Sequence, residues 1–203
     1  MARRTKAEAE STRAAILDAA EVLFFQHGVS RTTLEKIALA ANVTRGAIYW
    51  HFQNKADLFN AMLERVRLPF QTMLTELDND TNAEPFAQLQ QLFTNGLQLI
   101  AASEQKQRVL TIVFHRCEYI DELNPAVTKQ DELDEQTVAV MQRAFERAAA
   151  AGTLRDGVSP RLAANAMHMY VGGIISTFLL RPQQCDLLLA RNPAPLPAGV
   201  PAQ

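Results

Sequence analysis

The sequence predicts an all-α protein of about nine helices, with three short helices at the N-terminus and longer helices after them. Two observations favour this fold class. Apolar residues recur every three to four positions in most segments, and the breaks between segments carry residues that cap helices. Alternating strands of Val, Ile and Thr and Asn-Gly hairpin turns are absent from the sequence.

The first two short helices are bounded by cap and stop residues. Ser11 or Thr12 opens the first helix, and Gly28 stops it. Thr32 and Glu35 form a predicted capping box at the start of the second helix, in which each residue bonds a free amide of the first turn.

The third short helix follows after only two residues. The second helix is expected to end near Ala41, where Asn42 suits a left-handed conformation. Thr44 then caps a helix over residues 44–52, so that only Asn42 and Val43 separate the pair. This spacing is typical of a helix-turn-helix, whose second helix enters the major groove of DNA.

Longer helices fill the rest of the chain. Asn54 caps the fourth helix, which Pro69 is expected to break or kink, and Asn-Pro or Ser-Pro pairs open two of the later ones. The predicted segments are 55–66, 85–101, 104–118, 124–151, 160–181 and 183–191.

Charge divides the chain into two parts. The net charge of the whole chain is -2, but residues 1–67 carry ten basic and seven acidic residues, and the remainder carries a net charge of -5. We therefore predict a helix-turn-helix domain at residues 1–55 and a second helical domain at residues 56–191. The Pro-rich tail at residues 192–203 is expected to be disordered.

The composition excludes several classes of protein. The two cysteines, Cys117 and Cys185, cannot form a disulfide framework, which indicates a reducing compartment. The charged N-terminus lacks the apolar centre of a signal peptide. Nowhere are 18 consecutive residues apolar, so we expect no membrane-spanning segment. The sequence predicts a cytoplasmic protein.

The third helix carries the candidate DNA contacts. Ile48 and Phe52 lie four residues apart and face the core, which turns Tyr49 and Trp50 outward. Arg45 can bond guanine through two nitrogens, while hydroxyl, His and Lys side chains suit phosphate oxygens and small residues let the backbone approach the bases. The predicted contacts are Thr33, Thr44, Arg45, Gly46, Ala47, Tyr49, Trp50, His51 and Lys55.

These residues lie in a stretch, from about Thr12 to Leu63, that resembles the TetR family of transcriptional repressors. The run GAIYWHF followed by Asn54 and Lys55 is the most specific match. Together with the opening MARRTK, it is similar to the AcrR- and TtgR-like branch, which regulates multidrug efflux pumps. The resemblance implies a homodimer on a palindromic operator, with two recognition helices in successive major grooves and a hydrophobic small molecule as inducer.

The resemblance also implies a large, mostly hydrophobic cavity in the second domain. The residues agree with this, because polar groups occur within long apolar stretches and Met side chains suit a pocket that fits several shapes. The predicted lining residues are Leu92, Phe93, Gly96, Leu110, Phe114, His115, Cys117, Val138, Met141, Met167, His168, Val171 and Ile175.

A dimer interface is expected at the last long helix. Gly172 and Gly173 lie in its middle, at a cost of about 1 kcal/mol each relative to Ala, which indicates close approach of a partner helix or of ligand. In the family, helices matching 160–181 and those after Pro182 form the interface. The short final segment leaves the extent of that interface open.

Other chemistry finds little support. His115, Cys117 and Glu118 resemble metal ligands, but positions two apart on a helix point to different sides. No catalytic fingerprint is present, so we expect no metal, no cofactor and no enzymatic activity. The predicted function is a ligand-responsive repressor of a multidrug efflux operon. The alternatives are a TetR-type regulator of lipid metabolism or signalling, or a small-molecule binder or enzyme without a DNA role.

Overall fold

The computed structural model describes residues 6–79, 84–117 and 124–183, and these ranges form helices and no strand. The all-α prediction is confirmed. The predicted tail lies outside the described residues, as does the predicted last helix apart from its first residue. The helices are α1 (Lys6–His27), α2 (Leu34–Ala40), α3 (Arg45–His51), α4 (Lys55–Asn79), α5 (Pro85–Ala101), α6 (Glu104–Thr111), a π-helix (Ile112–Arg116), α7 (Asn124–Ala150) and α8 (Pro160–Leu180).

The ends of three helices carry the predicted stop residues. Gly28 follows α1 with a φ of 83°, Asn42 follows α2 with a φ of 54°, and Gly152 follows α7 with a φ of 70°. A left-handed residue after a helix turns the chain away and lets its amide bond a free carbonyl of the last turn. These positions could be predicted from the sequence because Gly and Asn adopt the left-handed conformation most easily.

Two predicted helix starts are wrong. The first helix begins at Lys6 rather than at Ser11 or Thr12, and the Thr12 hydroxyl donates to the Glu8 carbonyl inside the helix. In α2 the cap is Thr33, whose hydroxyl accepts from the Lys36 amide at 3.3 Å. Thr32 is instead buried, with its hydroxyl donating to the Gly28 carbonyl at 2.8 Å, so it closes the turn before the helix.

Pro69 does not end the fourth helix. Helix α4 continues through it to Asn79, so the predicted break is wrong. A proline inside a helix removes one backbone hydrogen bond and crowds the preceding turn. Apolar packing on both sides offsets that cost, because Leu63 is 3 % exposed and Leu74 is 7 % exposed.

The segment predicted as one helix over 104–118 is divided. Helix α6 ends at Thr111, the π-helix follows, and the backbone becomes extended at Cys117. A π-helix widens one turn by a residue, which rotates the side chains that follow it. Val109 and Ile112 are fully buried against the N-terminal helices.

Two hydrophobic clusters organise the core. The N-terminal cluster joins α1, α2, α3, the first part of α4 and the α6–π segment. The C-terminal cluster joins the later part of α4 with α5, α7 and α8. Helix α4 therefore belongs to both clusters and physically connects them. The C-terminal cluster consists of Leu74, Leu77, Leu89, Leu92, Val138, Met141, Ala144, Phe145 and Ala164.

Helix α8 exposes much of its apolar surface. It is the one helix in the described part of the chain that is long and apolar enough to cross a membrane, with a mean hydropathy of 1.2 and 6 % of its most apolar stretch buried. Asn165, His168 and Ser176 interrupt the apolar stretch. Met169 is 73 % exposed and Tyr170 is 64 % exposed. A surface of this kind needs a cover in water.

Candidate functional site

The outer face of α3 presents two large aromatic side chains. Trp50 is 72 % exposed and Tyr49 is 47 % exposed, whereas Ile48 and Phe52 are buried in the N-terminal cluster. The predicted division of this helix into an inner and an outer face is confirmed. Exposed aromatic rings on a short helix are available to contact another molecule.

Arg45 is held at the start of this face by two neighbours. Its guanidinium lies 5.6 Å from the centre of the Tyr49 ring, and its Nη2 lies 3.3 Å from Glu35 Oε1 of α2. A hydrogen bond to Tyr49 and, second, the charge of Glu35 raise the pKa of Arg45. The side chain remains 68 % exposed, so it is positioned and still accessible.

The two helices of the helix-turn-helix start at threonine caps. The Thr44 hydroxyl accepts from the Ala47 amide at 3.2 Å, and Thr33 caps α2 in the same way. Both threonines are exposed. A cap fixes where a helix begins, so the two hydroxyls have structural partners at the positions where DNA contacts were predicted.

Gly46 is exposed and has room around it. A Cβ built on Gly46 would come no closer than 3.9 Å to the Thr44 hydroxyl oxygen among the described residues. Its φ is not left-handed. Nothing within the described part of the protomer therefore requires glycine at this position, although glycine weakens a helix.

Lys55 and His51 are less accessible than the other predicted contacts. Lys55 is 5 % exposed, and its ammonium donates to the Thr32 carbonyl at 3.2 Å, which ties α4 to the turn before α2. His51 is half-buried beside Trp50, with ring centres 4.5 Å apart. The structure gives Lys55 a structural contact that the sequence did not predict, and its contact with phosphate stays a prediction.

The α6–π segment is joined to α1 by a buried carboxylate. Glu21 of α1 is 3 % exposed. It accepts from Gln105 Nε2 at 3.2 Å and lies 3.4 Å from Arg108 Nε. Burial raises the pKa of Glu21, against the lowering effects of Gln105 and Arg108. Sequence reasoning missed this contact, although Leu17, Glu21 and Phe24 share one face of α1 and both apolar residues are fully buried.

Five of the predicted lining residues lie together in the second domain. Leu92, Val138 and Met141 belong to the C-terminal cluster, and Phe93 and Met167 pack against it. They come from α5, α7 and α8, as the prediction required. The structure therefore brings them into one apolar region.

The other predicted lining residues are more dispersed. Cys117 packs against the N-terminal cluster, and Phe114 is 43 % exposed. His115 Nε2 lies 3.2 Å from the Ser176 carbonyl, so it links the π-helix to α8. Gly96 lies against the Phe70 ring, 3.4 Å from where its Cβ would be. The remaining four, Leu110, His168, Val171 and Ile175, are half-buried.

Two polar residues of α4 were not singled out from the sequence. Arg67 has both terminal nitrogens buried, and Asn60 has a buried side-chain oxygen; none of these three atoms has a hydrogen-bond partner among the described residues. The helical spacing of α4 already indicated that Arg67 lies on an apolar face. Leu63, Arg67 and Phe70 share one face of α4, so a charged residue interrupts an apolar row.

An arginine and two exposed aromatics on the second helix of a helix-turn-helix, joined by a continuous α4 to an apolar helical body, define a DNA-binding regulator. Comparison with known proteins agrees. The family model of the bacterial regulatory proteins of the TetR family matches residues 16–62, and that of the C-terminal region of MAATS-type transcriptional repressors matches residues 84–193. The chain belongs to the TetR family of transcriptional regulators and is not an enzyme.

Its relatives are similar over nearly their whole length. The HTH-type transcriptional repressor BepR of Brucella suis biovar 1 (strain 1330) is 37% identical over 187 residues, which cover 92% of this chain and 90% of BepR. NalD, the secondary repressor of the MexAB-OprM multidrug efflux pump in Pseudomonas aeruginosa, is 40% identical, with a TM-score of 0.84 and 92% of each chain covered.

A third relative has been solved with a small molecule. SmeT, the repressor of the SmeDEF multidrug efflux pump of Stenotrophomonas maltophilia, forms a complex with triclosan. The SmeT chain in that complex is 35% identical, with a TM-score of 0.77, and the match covers 88% of this chain and 85% of that one. The resemblance seen in the sequence is confirmed at the level of family and fold.

Proposed function

We propose that this protein is a repressor of a multidrug efflux operon and that a hydrophobic small molecule releases it from its operator. The observation that carries the proposal is α4, one continuous helix whose two ends pack in the N-terminal and C-terminal clusters. A ligand that favours another packing of the C-terminal cluster thereby moves the end of α4 beside α3. The relatives NalD and SmeT, both repressors of efflux pumps, support the choice of target.

A homodimer fits the exposed surface of α8. Added Cβ atoms on Gly172 and Gly173 would meet nothing within 4 Å among the described residues, so the two glycines leave room for a second copy. A two-fold dimer presents two α3 helices to half-sites about 34–36 Å apart on a palindromic operator. A regulator that binds DNA in this way acts in the cytoplasm, and we propose that location for this protein.

The test is the affinity of the full chain for DNA fragments from the region around its own gene, measured at several salt concentrations. If the dimer contacts about six phosphates, its affinity falls about 1,000-fold between about 50 and about 200 mM salt. Triclosan serves as the ligand probe and should weaken binding. Absence of salt-dependent, sequence-preferring binding would contradict the proposal, and binding only to promoters outside efflux operons would favour a regulator of lipid metabolism or signalling.

A further inference from the structure

Arg67 is a half-buried cation that the proposed function does not use. Both terminal nitrogens of its guanidinium are buried and have no hydrogen-bond partner among the described residues. Burial lowers the pKa of Arg67, while the charges of Asp134 and Glu64 act in the opposite direction. The guanidinium still keeps its proton at neutral pH. A buried charge without a direct partner is strongly destabilising unless another group neutralises it.

The position of Arg67 places this charge between the two hydrophobic clusters. Leu63, four residues before it, belongs to the N-terminal cluster, and Phe70, three residues after it, packs against the C-terminal cluster. Helix α4 packs against α7, and the charge of Asp134 on α7 favours the protonated guanidinium of Arg67. Asp134 itself accepts from Gln130 at 2.7 Å. The guanidinium therefore lies where α4 faces the ligand-binding domain.

A second unsatisfied polar atom lies on the same face. Asn60 is seven residues before Arg67, which is two helical turns and about 10 Å along the helix axis. Its side-chain oxygen is buried and has no partner among the described residues. The face thus carries an acceptor at Asn60 and donors at Arg67, beside the half-buried apolar side chain of Phe70, three residues after Arg67. A molecule that satisfies it needs an apolar body, an anionic group that bonds Arg67 and a hydrogen-bond donor for Asn60.

We propose that Arg67 anchors an acidic group of the inducer, so that the preferred ligands are aromatic compounds bearing a carboxylate, a sulfonate or a similar oxyanion. A guanidinium bonds such groups through two parallel hydrogen bonds. The apolar body then packs against Phe70 and the C-terminal cluster. This inference rests on the proposed function only in assigning ligand binding to the second domain.

Two fluorescent probes isolate the contribution of the charge. 8-Anilinonaphthalene-1-sulfonate and N-phenyl-1-naphthylamine share one aromatic body and differ by the sulfonate group. The full chain is titrated with each probe. We expect the sulfonate to bind at least about 10-fold more tightly than the neutral probe, a difference of about 1.4 kcal/mol.

Substitutions at Arg67 should change the ratio of the two affinities. Arg67→Gln should weaken the sulfonate about 10- to 100-fold and the neutral probe less than about 3-fold, because it removes charge-assisted hydrogen bonds only. Arg67→Lys should give an intermediate loss. The matched control is Arg65→Gln, two residues away on the same helix, whose guanidinium already bonds Asp18 and the Ala14 carbonyl. It should leave the ratio unchanged.

The thermal midpoint separates this role from a structural one. In the free protein the terminal nitrogens of Arg67 lack a hydrogen-bond partner among the described residues, and Asp134 and Glu64 offset the cost of burial only in part, so Arg67→Gln should keep or raise the midpoint. A lower midpoint with equal losses for both probes would overturn the inference, as would a ratio that Arg67→Gln does not alter. Operator affinity without probe is measured separately. If the protein does not bind its operator, the proposed function is contradicted, but the ratio of probe affinities remains a valid test of the role of Arg67.

Discussion

The amide of Val29 donates a hydrogen bond to the carbonyl of Arg116 across 3.2 Å. Val29 is fully buried in the turn after α1, and Arg116 is the last residue of the π-helix. A Cβ built on Gly28 would lie 3.5 Å from the same carbonyl oxygen. The end of the α6–π segment is thus bonded to the turn that precedes the helix-turn-helix. Because His115 of the same segment lies 3.2 Å from the Ser176 carbonyl of α8, α4 is not the only connection between the N-terminal helices and the later ones.

The neighbouring contact at Glu21 predicts a pH dependence. The folded pKa of Glu21 lies above its unfolded value, so the native state binds more protons between the two values. This contribution to stability is complete below the unfolded pKa and decreases as the pH rises through the folded pKa. We expect Glu21→Gln to remove it. The thermal midpoint of wild type, measured at pH 5, 6 and 7, should fall relative to that of the variant as the pH rises. A constant difference between the two midpoints would contradict the prediction.

Arg45 is expected to contribute to recognition of the operator. Arg45→Ala should cost about 1–3 kcal/mol at the specific site and relax the preference for one base pair. Competition binding with operator variants measures both effects. Arg155→Ala, in the exposed loop before α8, is the matched control and should change neither. Unchanged affinity and specificity in Arg45→Ala would show that Arg45 does not read a base.

Gly46→Ala should separate stability from DNA binding. The added methyl group meets no atom closer than 3.9 Å among the described residues, and alanine favours a helix by about 1 kcal/mol over glycine. We expect greater resistance to urea together with weaker operator binding, because the methyl group faces the DNA. Operator affinity equal to wild type would indicate that α3 does not approach the bases closely at this point.

Tyr170→Glu should dissociate the dimer. Tyr170 is 64 % exposed in the protomer, so a charge there costs the isolated protomer little but is buried without a partner when a second copy covers α8. Sedimentation should show a shift to monomer, with loss of operator affinity. Leu68→Glu, at an exposed position of α4, is the control expected to remain dimeric. A Tyr170→Glu dimer of wild-type strength would place the interface elsewhere.

Pro69→Ala should stabilise the protein. The substitution restores an amide inside α4, and the proline costs the helix up to about 3 kcal/mol. Urea unfolding should therefore report a higher free energy of unfolding. Thr72→Ala, three residues on and exposed, should change it by less than about 1 kcal/mol. Equal effects of the two substitutions would mean that the helix tolerates Pro69 at no cost.

Local rules predicted the helix-turn-helix well. Thr44 and Asn54 act as caps within four residues of the amides that they bond, at 3.2 Å to Ala47 and 2.8 Å to Asp57. Gly28 and Asn42 end their helices by conformational preference alone. Such interactions depend on near neighbours in sequence, so they can be predicted from the sequence alone.

Contacts between residues distant in sequence could not be predicted. Lys55 bonds the Thr32 carbonyl, 23 residues earlier, and so is buried, whereas the sequence predicted only a contact with phosphate. Pro69 stays within α4 because tertiary packing outweighs the cost of a lost hydrogen bond. The choice between Thr32 and Thr33 as the cap likewise depends on which one the core buries. Five of the predicted lining residues lie in or against the C-terminal cluster, whereas Cys117 packs against the N-terminal cluster. That division depends on contacts between helices distant in sequence.

Because α4 is long, a small tilt of the helix is enough to displace its far end. Its 25 residues span about 37 Å at about 1.5 Å per residue. A tilt of about 5° around one end displaces the other by about 3 Å, which is the length of a hydrogen bond. An angular change that small leaves side-chain packing along the helix intact and still breaks contacts with phosphate. The angular stiffness of α4 is therefore one determinant of the response, beside the contacts of the π-helix with α8 and with the turn after α1.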